Sequence, residues 1–218
     1  MTLSLIGLLL TIPAAFITMA LREKSRAHCS DRLGDPTPRK NGLLSGNPLK
    51  YIDPLGFIIT LIFGFGWGNP TPTSPLYYKD RKKGVVITNL TPILVNLFTG
   101  LLAAALAQIL LPVLQRLFAE GNFTIYYVLF WVREIIVMLS RVSVGTALFN
   151  LIPIYPLDGA KILQTFLSPN SAVKMTQNEK LLQVLLLVLM FFGIVGMIIH
   201  PVTALIVGRT PLPVRFPW

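Results

Sequence analysis

Polar and apolar positions along this chain come in long blocks instead of alternating. Thr2 to Leu21 is twenty residues without a charge, about one bilayer crossing at ~1.5 Å rise per residue. Pro13 lies inside it and predicts a kink. Residues 22–54 are polar and basic. Leu55 to Gly68, LGFIITLIFGFGWG, is apolar again. Fourteen residues are short for a crossing, and the stretch closes on Gly, Trp and Gly, so it reads as re-entrant or interfacial. A Pro-rich basic loop follows over 69–83. Residues 84–114 carry no charge but contain Pro92 and Pro112, which predict breaks. The next span, 123–157, is interrupted by Arg133, Glu134 and Arg141, and the last runs over 181–208. The pattern predicts an all-α integral membrane protein with one membrane domain over 1–218. It has four crossings (2–21, 84–114, 123–157 and 181–208) and a re-entrant or interfacial element at 55–68. A short β-hairpin-like loop is expected at NGLLSGNPLKYI, residues 41–52.

Composition agrees. Mean hydropathy is +0.67 and 13% of residues are charged, about half the ~25% of a soluble domain. The first apolar run has no charged start, so it reads as a retained span and not as a cleaved signal peptide. Cys29 is the single cysteine, which excludes an internal disulfide framework.

The net charge of +10 lies mostly in segments flanking apolar spans, with no aromatic-basic motif, so a nucleic-acid partner is not expected. The segments 22–54, 69–83 and 158–180 hold seven, four and three Lys or Arg, against three in 115–122 and the C-terminal tail. This asymmetry predicts a plasma (inner) membrane protein with the N-terminus outside and the basic loops cytoplasmic. It also requires 55–68 not to cross. Lys79 to Lys83 is expected to attract anionic lipid, and Trp67, Tyr77 and Tyr78 to anchor at the interface. A channel or transporter would predict inverted repeats with paired discontinuous helices, and the sequence shows neither.

Two polar segments stand out at span ends: REKSR, Arg22 to Arg26, and NLIPIYPLDG, Asn150 to Gly159. Together with RLGDPT (Arg32 to Thr37), NPLKYIDPLG (Asn47 to Gly56) and FGWGNPTP (Phe65 to Pro72), they resemble, in order, the signature pieces of the site-2 protease family of intramembrane zinc metalloproteases. The likeness is to its compact bacterial branch and covers most of the chain. In that family the first span ends in HExxH. Its two histidines share a helix face and ligate zinc, and its glutamate activates the bound water. An aspartate of the later motif is the third ligand.

The resemblance places HExxH on Arg22, Glu23, Lys24, Ser25 and Arg26, and the aspartate on Asp158, with Asn150 opening its motif. The carboxylates are kept and both histidines are arginine. Arginine has no lone pair for a metal. His28 lies six residues past Arg22, on the opposite helix face, and Cys29 about two turns along the axis. His200 is far off in sequence. Zinc is therefore expected to be lost, and no metal ligand or other cofactor is assigned. A family Gly-Pro-x-x-Asn pattern is also eroded, to NLTPILVN, with Asn96 out of register.

The expectation is a pseudoprotease: a catalytically inactive binding or accessory subunit, partnered by other integral membrane proteins or a transmembrane helix. The alternative is an active intramembrane metalloprotease with a non-standard metal site. Arg22 or Arg26 is expected to pair with Asp158, the guanidinium replacing zinc as the positive centre. Arg133, Glu134 and Arg141 read either as a lateral docking site for a membrane partner or as an internal charge group.

Overall fold

The computed structural model describes residues 5–207. Its regular elements there are all helical: α1 (Leu5–Arg32), α2 (Thr37–Lys40), α3 (Pro54–Phe63), α4 (Arg81–Ala119), α5 (Phe123–Leu151), α6 (Asp158–Gln164), α7 (Pro169–Gln177), α8 (Glu179–Phe191) and α9 (Ile194–Val207). Three helices, α1, α4 and α5, are long and apolar enough to cross a membrane; α8 and α9, bent by 66°, make a fourth if taken as one broken span. The protein is thus an all-helical membrane protein.

The spans depart from the sequence reading in three ways. First, the helix of the first span does not stop at Leu21: α1 continues to Arg32 and carries REKSR on it, as the shared helix face of Arg22 and Arg26 requires. Second, Pro92 and Pro112 do not break the 39-residue α4. In an apolar surround, neighbouring helices, hydroxyl side chains and small local adjustments satisfy the carbonyls a proline frees. Third, α5 stops at Leu151, and residues 152–157 turn the chain into the short α6.

The expected hairpin at 41–52 is not formed; residues 48–51 make a single 3₁₀ turn capped by Asn47. Pro48 supplies no backbone donor for a ladder, and Gly42 sits at φ 64°.

α3 has ten residues, ~15 Å of helix against the ~30 Å of a hydrocarbon core. Asp53 caps its start, accepting from Leu55 N at 3.0 Å. Gly64, at φ 77°, ends it and turns the chain back. The segment after it runs without helix past α1, held by Asn69 N to Tyr51 O at 2.9 Å. Gly68 is needed there, because a Cβ would lie 2.8 Å from Tyr51 O and 3.2 Å from Glu23 Cγ.

The bundle packs through small residues, as helices in lipid do. Gly100 of α4 meets α5 so closely that a Cβ would lie 2.5 Å from Val144 Cγ2, and Ser140 Oγ donates to Gly100 O at 2.6 Å. Thr18 of α1 and Ser143 of α5 share a hydrogen bond at 2.9 Å. An apolar cluster around Phe65, Phe149, Leu157, Met190 and Ile199 joins the returning segment to α5, α8 and α9.

Tyr78 is not an interface anchor. It is buried, with its hydroxyl hydrogen-bonded to Ser30 Oγ at 2.7 Å and accepting from Thr88 Oγ1 at 3.1 Å. Trp67 is half-buried and donates to Asp53 Oδ2 at 2.7 Å. Tyr77 is exposed.

Candidate functional site

A helix that carries Arg22 and Arg26 four residues apart presents both on one face. α1 turns that face inward: Arg22, Glu23 and Arg26 are all buried, as are Asp158 and Asn150. Asp158 opens α6, where the chain reverses after α5 and reaches the flank of α1. The sequence-predicted positions therefore converge on one cluster.

The cluster is densely bonded. Arg26 Nη2 donates to both oxygens of Asp158, at 2.8 and 2.7 Å. Its Nε donates to Glu23 Oε2 at 3.0 Å and its Nη1 to Asn89 Oδ1 at 2.8 Å. Arg22 bonds Glu23 through Nη1 and Asp158 through Nη2. The same Nη2 donates to Asn150 Oδ1 at 2.7 Å. Asn150 is held by donating to Thr146 O at 2.8 Å and Gly66 O at 3.2 Å. Glu23 also accepts from Thr71 N at 2.9 Å. Two guanidinium groups face two carboxylates, so these four groups sum to zero. Such charge-assisted, many-partnered bonding is what lets buried charges persist.

Two members were missed by sequence reasoning. Asn89 was passed over as the first letter of NLTPILVN, although it is the polar residue of α4 one helical turn before Pro92. Thr71 reaches the Glu23 carboxylate through its backbone N–H, which leaves no mark in the sequence, and its hydroxyl donates to Glu23 O at 3.1 Å. Asn96, the residue singled out in that stretch, is buried, and its side-chain amide has no hydrogen-bond partner among the described residues.

The residues present do not fit a zinc ion. At both helix positions where the resemblance expects an imidazole lone pair, a guanidinium offers only N–H donors. Those donors occupy the Asp158 oxygens that a metal would need and the Glu23 oxygens that would take a proton from its water. Among the described residues, no three His, Cys, Asp or Glu side chains are grouped to hold a metal. His28 Nδ1 pairs with Lys24 O at 2.9 Å. Cys29 Sγ lies 3.3 Å from Thr91 Oγ1. His200 packs 5.5 Å from the Phe65 ring and shares a cavity with Arg141.

The other three charged residues form a separate group. Arg133 and Glu134 are buried and pair with each other at 2.7 Å. Arg133 Nε donates to Ala107 O of α4 at 3.2 Å. Arg141 is partly buried and lines a cavity with Gly64, Gly145 and Thr203.

Comparison with known proteins sets this geometry in a family. The sequence model described as Peptidase family M50 matches residues 4–194. A Bacillus subtilis (strain 168) protein named "Putative zinc metalloprotease YwhC" is 31% identical over 166 residues, covering 75% of this chain and 71% of that protein. No solved structure matches. With most of its length matched, from the first helix through α8, the chain belongs to peptidase family M50, the site-2 proteases.

Proposed function

We propose that this chain is a catalytically inactive member of its family that serves as a binding or accessory subunit of a membrane protein complex. The observation that carries this reading is the double pairing of Arg22 and Arg26 with Glu23 and Asp158. The family's hydrolysis needs a metal to lower the pKa of a water and a free glutamate to take its proton. Here the glutamate is held by two guanidinium groups and Thr71 N, and the ligand positions are cations. The fold around the cluster stays intact. Such a chain keeps a shape that can hold a transmembrane helix, without the means to cut it.

The partner in this reading is another integral membrane protein, met within the plasma (inner) membrane. The basic segments face the cytoplasm and the N-terminus lies outside, as the Lys and Arg asymmetry favours. The exposed run from Lys79 to Lys83 meets anionic lipid there. Arg133 and Glu134 are buried and paired with each other against α4, so they lie behind the surface of α5 that a partner would meet.

The second reading, an active zinc protease with a non-standard site, draws on the retained Glu23 and Asp158 and on the name of the Bacillus subtilis relative. One experiment separates the two. The full chain is purified in mild detergent, its metal measured by elemental analysis, and its co-purifying proteins identified from the same sample. Zinc well below one atom per chain together with a reproducible membrane partner is expected. Near-stoichiometric zinc overturns the proposal.

A further inference from the structure

The charge at the site does not close at zero once α6 is followed one turn further. Lys161 Nζ lies 4.0 Å from Asp158 Oδ1. Both oxygens of that carboxylate already take shorter bonds from Arg26. Arg22, Arg26 and Lys161 against Glu23 and Asp158 leave one surplus positive charge, and its free end is the ammonium of Lys161.

Lys161 lines a cavity of about 500 Å³ between the 70–75 loop, the start of α4 and α6. Arg26 and Lys161 are its charged lining residues, and no carboxylate is among the described residues that line it. Four of the five N–H bonds of Arg26 have acceptors in the cluster, which leaves one on Nη1. The hydroxyl-bearing Thr73 also lines the cavity. Arg81, Lys82 and Lys83 are exposed on the first turn of α4, just ahead of the lining residue Val85.

We propose that this cavity binds a phosphate group, with Lys161 as its counter-ion and Arg26 and Thr73 as further donors. A phosphate presents several acceptor oxygens to such convergent donors. The exposed basic turn of α4 raises the local concentration of anions at the mouth. The group arrives either as a soluble phosphate or as a phospholipid headgroup. The two sources share this chemistry and differ in how the ligand is delivered.

The test uses the full chain in nanodiscs. Inorganic phosphate is titrated against phosphatidylcholine nanodiscs at fixed ionic strength. In parallel, nanodiscs of phosphatidylcholine with phosphatidic acid are assembled and the lipid retained by the re-extracted protein is quantified by mass spectrometry. Lys161→Met, Lys161→Arg and the surface control Lys82→Met are carried through both arms, with melting temperatures recorded.

Removing one charge-assisted partner predicts about a tenfold loss of affinity or lipid enrichment for Lys161→Met. Lys161→Arg and Lys82→Met should stay near the parent. Saturable phosphate binding with this pattern assigns the soluble source. Enrichment of phosphatidic acid alone, with this pattern, assigns the lipid. Absence of both in the parent, equal binding by Lys161→Met, or an equal loss in Lys82→Met overturns the proposal. Neither arm depends on whether the chain binds zinc, so this proposal and the inactive-protease reading stand or fall separately.

Discussion

Arg26 and Asp158 are 132 residues apart in the chain, yet one guanidinium nitrogen of Arg26 reaches both carboxylate oxygens, at 2.8 and 2.7 Å. This pair joins the far half of α1 to the start of α6. Arg22 doubles the link through the same carboxylate and adds Asn150 of α5. Asn89 adds α4. Four helices are clasped here: α1 to α6 by hydrogen bonds between opposite charges, and α4 and α5 through neutral amides that accept from the same two guanidinium groups.

A clasp of this kind fails asymmetrically. Asp158→Asn removes one of two acids and leaves two buried guanidinium groups facing one carboxylate. The expected destabilisation is about 3–5 kcal/mol, the range for breaking a buried ion pair from one side. A chain with all four charges removed, Arg22→Met, Glu23→Gln, Arg26→Met and Asp158→Asn, is expected to lose less. Thermal unfolding in one detergent measures both. A single variant that melts with the parent would refute the clasp.

The same geometry predicts a gain of metal. Arg22→His with Arg26→His rebuilds HExxH around Glu23, and Asp158 already stands beside both positions. The double variant is expected to hold about one zinc per chain by elemental analysis, since two helical imidazoles and one carboxylate complete a three-ligand set. Adding Asp158→Ala should abolish it. Zinc at the parent's level in the double variant would show that more than the two side chains has departed.

Much of this was legible in the sequence, for identifiable reasons. Blocks of apolar residues announce membrane helices because lipid offers no partner to bare backbone. The Arg22, Glu23, Arg26 and Asp158 cluster followed from motif order and from the four-residue spacing on α1. Illegible features depended on contacts at a distance. Pro92 and Pro112 read as breaks, because their tolerance rests on neighbouring helices. Tyr78 read as an interface anchor, because its partners Ser30 and Thr88 lie 48 and 10 residues away. Thr71 contributes a backbone N–H, which every non-proline residue carries.

Outside the spans, Asp35 offers a pH test. It is buried and accepts from Ser30 Oγ at 2.8 Å, Thr37 N at 2.9 Å and Ser74 N at 2.7 Å. Burial alone would push its carboxyl up, but the hydrogen bonds from Thr37, Ser74 and Ser30 outweigh it and hold the group below its ordinary value. A depressed folded-state value means stability that is fully present above the unfolded value of about 3.9 and lost as pH falls below it. Asp35→Asn should therefore melt below the parent by a constant margin from about pH 7 to 5, and the margin should shrink below about pH 4. A margin unchanged down to about pH 3 would show that the carboxylate charge contributes nothing.

Gly159 tests whether the position of α6 sets the site. A Cβ there would lie 2.3 Å from Leu151 O and 2.6 Å from Leu151 C. Both are backbone atoms at the end of α5, so no side-chain rotation can relieve the clash. Gly159→Ala must push α6 away from α5, and Asp158 moves with it, away from Arg22 and Arg26. The expected loss is about 1–3 kcal/mol from overpacking, with a further part from the weakened ion pairs. Gly46→Ala is the control, because nothing lies within 4 Å of a Cβ at that exposed turn. Combining Gly159→Ala with Asp158→Asn separates the two parts: if the clash acts through the clasp, the double variant loses less than the sum of the single ones. Strict additivity of the melting shifts would mean that α6 can move without disturbing the charges.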